Sequence, residues 1–295
     1  IRRQVGRNAL TDVEAEAGER THTALVALTK AVGETRERSL VAMAADVVRP
    51  HDGRVLVVRF EEIPDQAPLT ESATAQSPAD RSFEQRVEAL ADEFDVAVEA
   101  DEIVSHDTKH AIVNVAENHG VDAVVAEHEP LRLRSRLLGD PVDWVVRHAP
   151  CDVFLVDNVG YDDPERVILA GDGSPYDPRA VSMAEAIATA NDGHLSLWYP
   201  DDDADDTTKY RRTMADYRAA LSTLLDVPVR VESLRTDGGR RADVLVRAGA
   251  DHRLRAAILD ERPHLPTPGC TTVTVYPVAT RRPPLVRRLL ERVVF

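Results

Sequence analysis

The chain has 295 residues, of which 43% are hydrophobic, and this is enough to bury one or two complete cores. Its formal net charge of -15 arises from 51 acidic and 36 basic residues. An acidic protein is not expected to bind nucleic acid, because contact with phosphates requires a basic face. No apolar run is longer than six residues, so we expect neither a transmembrane helix nor a secretory signal in this sequence.

Lysine is rare in this chain. Of the 36 basic residues, only Lys30, Lys109 and Lys209 are lysines, and the rest are arginines. An acidic surface with little lysine is typical of proteins from a salt-rich cytoplasm, where high ionic strength screens the repulsion between like charges. Codon bias in a GC-rich genome is the alternative explanation. Cys151 and Cys270 lack metal-ligand spacing, and we expect them to be buried thiols in a reduced compartment.

The first half alternates short valine-rich runs with amphipathic segments. We predict strands at 22–28, 54–60, 96–103, 121–126 and 152–156, and helices at 34–48, 82–94, 108–119 and 137–148. Strands that are apolar on both faces are typical of a parallel sheet covered by helices. The first domain, residues 21–158, is therefore predicted to be an α/β domain with a doubly wound, Rossmann-like sheet of five parallel strands.

The second domain, residues 165–278, is predicted to repeat this order with one difference. We predict strands at 166–170, 194–199, 227–234, 254–260 and 271–276, and helices at 178–191, 208–225 and 240–250. A proline-rich segment, ERPHLPTPGC at 261–270, replaces the fourth helix. The flanking segments are an irregular stretch at 1–20 and a basic amphipathic helix within 279–295.

Similarity between the halves supports this division. Residues 39–60 align with residues 179–200, so that the His-Asp-Gly turn at 51–53 matches the Asn-Asp-Gly turn at 191–193. A repeat of about half the chain length predicts two similar domains and not a solenoid of short units.

The fifth predicted strand of each half is an apolar edge that needs a partner. We expect residues 152–156 to contact residues 271–276, and this contact would join the halves as an internal pseudo-dimer.

Two segments resemble a known family. Residues 124–156, VVAEHEPLRLRSRLLGDPVDWVVRHAPCDVFLV, are similar to the last third of a universal stress protein domain. Residues 168–188, ILAGDGSPYDPRAVSMAEAIA, are similar to the beginning of such a domain. The resemblance extends over residues 21–277 and implies two tandem domains of the universal stress protein fold.

Many universal stress proteins bind ATP through an aspartate after the first strand and a Gly-x2-Gly-x9-Gly-Ser loop after the fourth. In the first half, Thr29 takes the position of the aspartate, Ala126 and Glu129 take the first two glycine positions, and Asp140 follows Gly139 in place of the serine. Acidic side chains beside a triphosphate are unfavourable without a metal. The resemblance therefore implies a first site that no longer binds nucleotide, with Gly139 as a turn residue.

The second half keeps Asp172, Gly173 and Ser174 but lacks the glycine loop. We expect Asp172 to be a turn or helix-start residue, with residual nucleotide contact as the alternative. Together with Gly139, these residues would form a degenerate nucleotide site, and no cofactor or metal is expected. The adjacent residues Glu127, His128 and Glu129 make a poor chelate. No Ser/His/Asp or Cys/His arrangement is recognisable, so we do not expect an enzyme.

Arginines cluster at both ends of this otherwise acidic chain. They are Arg2, Arg3 and Arg7 at the start and Arg281, Arg282, Arg287, Arg288 and Arg292 at the end. Basic residues beside a membrane span or along an amphipathic helix favour contact with an anionic membrane surface. The alternative for the C-terminal helix is packing on the protein's own sheet. Because the chain begins with Ile1 and not with methionine, we expect it to be part of a longer protein.

The resemblance implies a function for such a chain. In haloarchaea, tandem domains of this family are often fused behind membrane transporters, notably permeases that resemble the cationic amino-acid group. We therefore expect a non-catalytic regulatory or stress-response module at the cytoplasmic face of the membrane, whose partner is its own transmembrane transporter domain. The alternatives are a free-standing cytosolic universal stress protein that binds ATP or AMP through Asp172, and an ATPase.

The charge of -15 predicts that the fold needs salt. The Debye length falls from about 10 Å at 0.1 M salt to about 3 Å at 1 M, so repulsion between surface carboxylates weakens over that range. The melting temperature, measured by circular dichroism, should therefore rise between 0.1 M and 1 M KCl. A flat or falling curve would exclude adaptation to salt as the reason for this composition.

Overall fold

The computed structural model describes residues 3–5, 21–29, 32–64, 66, 78–128, 141–170, 176–199, 207–233, 243–249 and 269–281. Within these ranges the chain forms one mixed sheet of eleven strands, with helices packed on its faces. The predicted α/β class, with a mostly parallel sheet, is confirmed.

The first half contributes six parallel strands. Its elements are β1 Arg3–Val5, β2 Thr23–Leu28, α1 Glu34–Val48, β3 Arg54–Glu62, α2 Pro78–Phe94, β4 Ala97–Ser105, α3 Thr108–Asn118, β5 Ala123–Glu127, α4 Pro141–His148 and β6 Asp152–Asp157. Across the sheet the strands follow the order β1-β4-β3-β2-β5-β6. Strand β1 falls in the stretch that was predicted to be irregular, and it pairs in parallel with β4 at the edge of the sheet.

The second half contributes five strands in the corresponding order, β11-β10-β7-β8-β9. Its elements are β7 Arg166–Ala170, α5 Pro178–Ala190, β8 His194–Tyr199, α6 Thr207–Leu224, β9 Val229–Ser233, β10 Val244–Ala248, β11 Thr271–Tyr276 and α7 Val278–Arg281. Strand β10 lies between β7 and β11, as β5 lies between β2 and β6.

The prediction of a helix at 240–250 was wrong, because β10 occupies this region and pairs in parallel with both β7 and β11. Val244, Leu245 and Val246 are each at most 1% exposed. Burial of consecutive side chains requires cover on both faces, which a central parallel strand has and a surface helix lacks. The strand predicted at 254–260 and most of the proline-rich segment lie outside the described residues.

The turns that match between the halves have the same backbone geometry. Asp52 and Asp192 have positive φ angles of 47° and 49°. The glycines that follow them, Gly53 and Gly193, lie so close to a neighbouring strand that an added Cβ would be 2.4 Å or 2.6 Å from a backbone oxygen. Only glycine fits at such a separation, so the repeated Asp-Gly pair has a structural origin.

The two halves are joined by antiparallel pairing of β6 with β11. The register runs from Thr272 opposite Asp157 to Tyr276 opposite Val153. The strand contact expected from the sequence is therefore present, and it makes one continuous sheet from two five-stranded units and β1. Cys151 and Cys270 are free and buried. They precede β6 and β11 respectively, so they lie at opposite ends of this strand pair.

One apolar core extends through both halves on the same face of the sheet. It contains α1 and α5, which pack against each other. Met43 of α1 and Met183 of α5 are 0% and 2% exposed within this core. A second cluster on the opposite face of the first half is covered by α3 and α4 and includes Tyr276 of β11. Apolar packing on both faces of the sheet therefore stabilises the β6–β11 junction.

A buried polar network centred on Asp46 also links the halves. Tyr161, which lies between β6 and β7, donates its hydroxyl hydrogen to Asp46 Oδ2 at 2.5 Å, and Asn191 donates to the same oxygen at 2.9 Å. Arg49 donates to the other carboxylate oxygen at 2.7 Å. Burial, with the nearby Asp46 carboxylate, raises the pKa of Tyr161 well above its usual value, so its hydroxyl remains a donor at neutral pH.

Replacement of Tyr161 by phenylalanine should lower the free energy of unfolding by about 1–3 kcal/mol, because a buried carboxylate loses a donor. Urea unfolding followed by circular dichroism measures this change. Tyr217→Phe is the matched control, since it removes a hydroxyl group from a half-buried tyrosine outside the network and should change the free energy by less than about 0.5 kcal/mol. Equal effects of the two substitutions would contradict a role for the network in stability.

Candidate functional site

The first half has a crevice where the strand order reverses, between the carboxyl ends of β2 and β5. In open α/β sheets this position is where ligands generally bind. The residues that reach it are Thr29 after β2, the first turn of α1, and Glu127 and His128 at the end of β5. The site is therefore assembled from segments that are about 90 residues apart in the chain.

An ion pair between Arg36 of α1 and Glu127 of β5 crosses this crevice. The Arg36 Nε donates to Glu127 Oε1 at 2.7 Å. The arginine side chain is 53% exposed, whereas the carboxylate is only 11% exposed. Asn158 donates from its side-chain amide to the Arg36 backbone oxygen at 3.2 Å. The crevice is thus bridged by a guanidinium and a carboxylate of the protein itself.

The amino end of α1, which opens on the same crevice, is also occupied by the protein's own charges. Gly33 is the N-cap and provides no side-chain bond, while Glu34 and Glu37 stand in the first turn. Carboxylates at this position complement the positive end of a helix dipole. Glu37 is 3% exposed and accepts two hydrogen bonds from Arg86 of α2, at 3.1 Å and 3.2 Å. An anionic ligand would therefore meet carboxylates in the turn that usually binds phosphate.

The first-half residues that take the positions of the usual nucleotide-binding residues differ in where they lie. Thr29 is exposed directly after β2. Ala126 is not at a strand end, because it lies inside β5, is 5% exposed and pairs with Ala27 and Leu155. Its side chain belongs to the cluster under α3 and α4, so it cannot face a ligand. Glu129, Gly139 and Asp140 lie outside the described residues.

Two buried polar atoms border the crevice without a hydrogen-bond partner in the part of the chain that the structure describes. They are His128 Nδ1 and Asn158 Oδ1. A buried polar group without a partner is unfavourable by about 1–3 kcal/mol, and an ordered water molecule commonly provides the missing bond. Each atom belongs to a residue that directly follows a strand, His128 after β5 and Asn158 after β6.

The corresponding edge of the second half has different chemistry. Asp172, Gly173 and Ser174 lie outside the described residues, and the helix-start role belongs to Asp177. Its carboxylate accepts hydrogen bonds from the backbone N–H groups of Arg179 at 2.8 Å and Ala180 at 3.3 Å. The sequence contains a signal for this cap, since an aspartate followed by proline at the first helical position is a typical helix start.

The residue after β10 is Gly249, and its position is explained by packing. Its N–H donates to the Val275 backbone oxygen at 2.7 Å, as His128 donates to Val156 at 2.8 Å in the first half. A Cβ at Gly249 would lie 2.3 Å from the Tyr276 ring. Gly249 therefore leaves room for the Tyr276 ring of β11 to pack against the end of β10. This packing explains the glycine without a bound ligand.

A polar cleft of about 260 Å³ lies at the joint between the halves, beside the Asp46 network. Both arginines that line it are already paired. Arg38 donates through Nε to Glu93 at 2.9 Å, and Arg49 binds Asp46 and the Phe94 backbone oxygen. These bonds hold α1 against α2, so the cleft is best explained as a structural joint.

Other predicted site residues lie mostly beyond the described ranges. Arg281 ends α7, whereas Arg282, Arg287, Arg288 and Arg292 fall outside the described residues. Among the residues that are described, no group of three or more His, Cys, Asp or Glu side chains could hold a metal ion. No helix in these ranges is both long enough and apolar enough to cross a bilayer.

Comparison with known proteins agrees with this architecture. No curated protein sequence matches the chain. A universal stress protein from Archaeoglobus fulgidus DSM 4304 has a TM-score of 0.52 at 16% identity, over 85% of this chain and 95% of its own. The cytoplasmic domain of a prokaryotic cation chloride cotransporter has a TM-score of 0.53 at 13% identity, over 88% of this chain and 96% of its own. At these identities the similarity shows the fold alone.

The sequence pattern of the universal stress protein family (Usp) matches residues 21–157. This segment runs from the residues before β2 to the end of β6, so it contains the five central strands of the first half and the bridged crevice. Residues 21–157 therefore match a domain of the universal stress protein family.

Proposed function

We propose that this chain is a non-catalytic regulatory module, and that it forms the cytoplasmic part of a membrane transporter similar to amino-acid permeases of haloarchaea. In this proposal the two halves act as an internal pseudo-dimer and the module works without bound nucleotide. The observation that best supports a module without bound nucleotide is the Arg36–Glu127 ion pair across the first crevice.

The electrostatics of this pair oppose a triphosphate. A nucleotide could recruit Arg36 only by drawing it away from Glu127, whose carboxylate is 11% exposed. The nearly buried carboxylate would then lose its Arg36 partner and lie close to the negative charge of the phosphates. Because the arginine is 53% exposed, the pair is partly screened, and its loss costs about 1 kcal/mol or less. That loss and the acidic first turn of α1 both disfavour a triphosphate in this crevice.

Two features support a connection with a transporter. The cytoplasmic domain of the cation chloride cotransporter has the same fold over most of its length. In addition, arginines are concentrated at both ends of a chain whose net charge is -15. Basic segments of this kind favour the anionic inner leaflet, whereas the acidic body is repelled by it. In a module attached at its ends, the basic segments would therefore contact the inner leaflet and the acidic body would lie away from it.

Nucleotide binding separates this proposal from a free-standing universal stress protein that binds ATP or AMP. Isothermal titration calorimetry with Mg-ATP in molar KCl should give no binding heat, because the first crevice is bridged. A micromolar dissociation constant would contradict the proposal. The Asp172→Ala variant then locates the site, since loss of binding in this variant would establish the alternative in which Asp172 contacts nucleotide.

Membrane attachment can be tested with the arginines of the C-terminal segment. The intact chain should co-float with vesicles that contain phosphatidylserine and not with vesicles of phosphatidylcholine alone. Deletion of residues 284–295 should abolish flotation and leave the melting temperature within a few degrees. Strong destabilisation without a change in flotation would instead identify this segment as part of the protein's own packing.

A further inference from the structure

A cluster of ionisable side chains lies where the second half touches the amino-terminal edge of the first-half sheet. His22 precedes β2, His51 follows α1, and Asp122 precedes β5. Asp152 begins β6, and Arg179 lies in the first turn of α5. Because β6 and β11 are antiparallel, α5 begins at the edge of the sheet where the first-half strands start. The cluster therefore spans the joint between the halves.

Short contacts connect these groups in two sets, and a backbone hydrogen bond from the Asp152 N–H to the Asp122 oxygen at 3.2 Å joins the sets. Arg179 Nε is 3.3 Å from Asp152 Oδ2, and the other Asp152 oxygen accepts a hydrogen bond from the Val278 N–H at 2.8 Å. His22 Nδ1 is 3.6 Å from Asp122 Oδ2. The rings of His22 and His51 are 4.6 Å apart. Asp152 is 7% exposed, so the two bonds to its carboxylate tie both α5 and the end of β11 to the first half.

We propose that this cluster makes the joint between the halves sensitive to pH, because protonation of His22 weakens the hold of Asp152 on Arg179 and so loosens the start of α5. A histidinium at this position would offer Asp152 a competing positive charge and would repel the guanidinium. This inference names the signal that the proposed regulatory module responds to, namely a fall in pH. It depends on the module's regulatory role, but its test measures the joint directly and does not require a transporter.

The direction of the effect follows from the environment of His22. Burial lowers the pKa of His22, and the neighbouring His51 and Arg179 lower it further, whereas Asp122 and Asp152 act in the opposite direction. A histidine whose pKa is lower in the folded state binds its proton more weakly there than in the unfolded chain, where the value is about 6.5. The folded state is therefore destabilised as the pH falls below about 6.5, and no such penalty exists above it.

Coupling between binding events is reciprocal. Since Arg179 disfavours the proton on His22, the proton on His22 must disfavour the present position of Arg179. The Arg179 side chain is 62% exposed, so the coupling is screened and belongs at the weak end of such effects. An effect of about threefold on the opening of the joint is the magnitude that we expect for a pair with one exposed partner.

His119 provides a matched control on the same edge of the sheet. It is a half-buried histidine, and burial, together with Arg54, lowers its pKa. Arg179 does not contribute to this shift. Substitution of His119 should therefore reduce the acid sensitivity of the whole fold without changing the joint.

The test is hydrogen exchange of the intact chain at pH 7.5 and 5.5, corrected for intrinsic exchange and read at the Val181 amide, which makes the first backbone bond of α5. Its protection factor should fall about threefold at pH 5.5 in the wild-type chain and in His119→Gln, but not in His22→Gln. An unchanged factor in the wild type, or the same fall in His22→Gln, would overturn the proposal.

A second measurement does not depend on the folding of the His22 variant. The NMR titration of the His22 ring should shift to higher pH in Arg179→Gln, while the His119 titration stays in place. If the His22 titration does not move, Arg179 and His22 are not coupled and the joint does not sense protons in this way.

Discussion

The antiparallel pairing of β6 with β11 is the constraint on which the rest of the structure depends. A five-stranded parallel unit ends in an apolar strand whose backbone groups are unpaired, and such an edge is unstable in water. Here each unit covers the edge of the other. The pairing reverses the strand direction between the halves, brings α1 and α5 onto one face, and places the start of α5 at Asp152. The shared core, the Asp46 network and the ionisable joint all follow from this one contact.

The first crevice contains a bridge of protein side chains at the position where ligands generally bind in open α/β sheets. In this chain Arg36 and Glu127 connect the start of α1 with the end of β5, which are the two elements that a bound phosphate would otherwise link. A module with such a bridge keeps its geometry without a ligand. In the proposed module, this bridge would allow the fold to serve as a fixed platform without a ligand.

Much of the fold could be predicted from local patterns, and the exceptions have physical causes. Buried strands such as β3 contain continuous valine-rich runs, and the Asp52-Gly53 turn recurs as Asp192-Gly193, so both were recognisable. The error at β10 arose because a five-residue run of Val, Leu, Arg and Ala fits a helix as well as a buried strand. Pairing with its neighbours β7 and β11 makes this segment a strand, and this pairing is not visible in the local sequence. The Arg36–Glu127 and Arg179–Asp152 pairs could not be predicted, since nothing in the sequence indicates that distant charges meet.

Salt weakens the two kinds of contact at the joint, the buried Asp46 network and the partly exposed Arg179–Asp152 pair, to different extents. If the acidic composition reflects a salt-rich cytoplasm, as proposed, the Debye length there is about 3 Å and exposed ion pairs are strongly screened. The Asp46 network is buried, so it is screened much less and can hold the halves together at high salt. The Arg179–Asp152 pair has one exposed and one buried partner, so screening reduces its strength without removing it. A joint built from both kinds of contact can stay assembled while the weaker contact responds to protons.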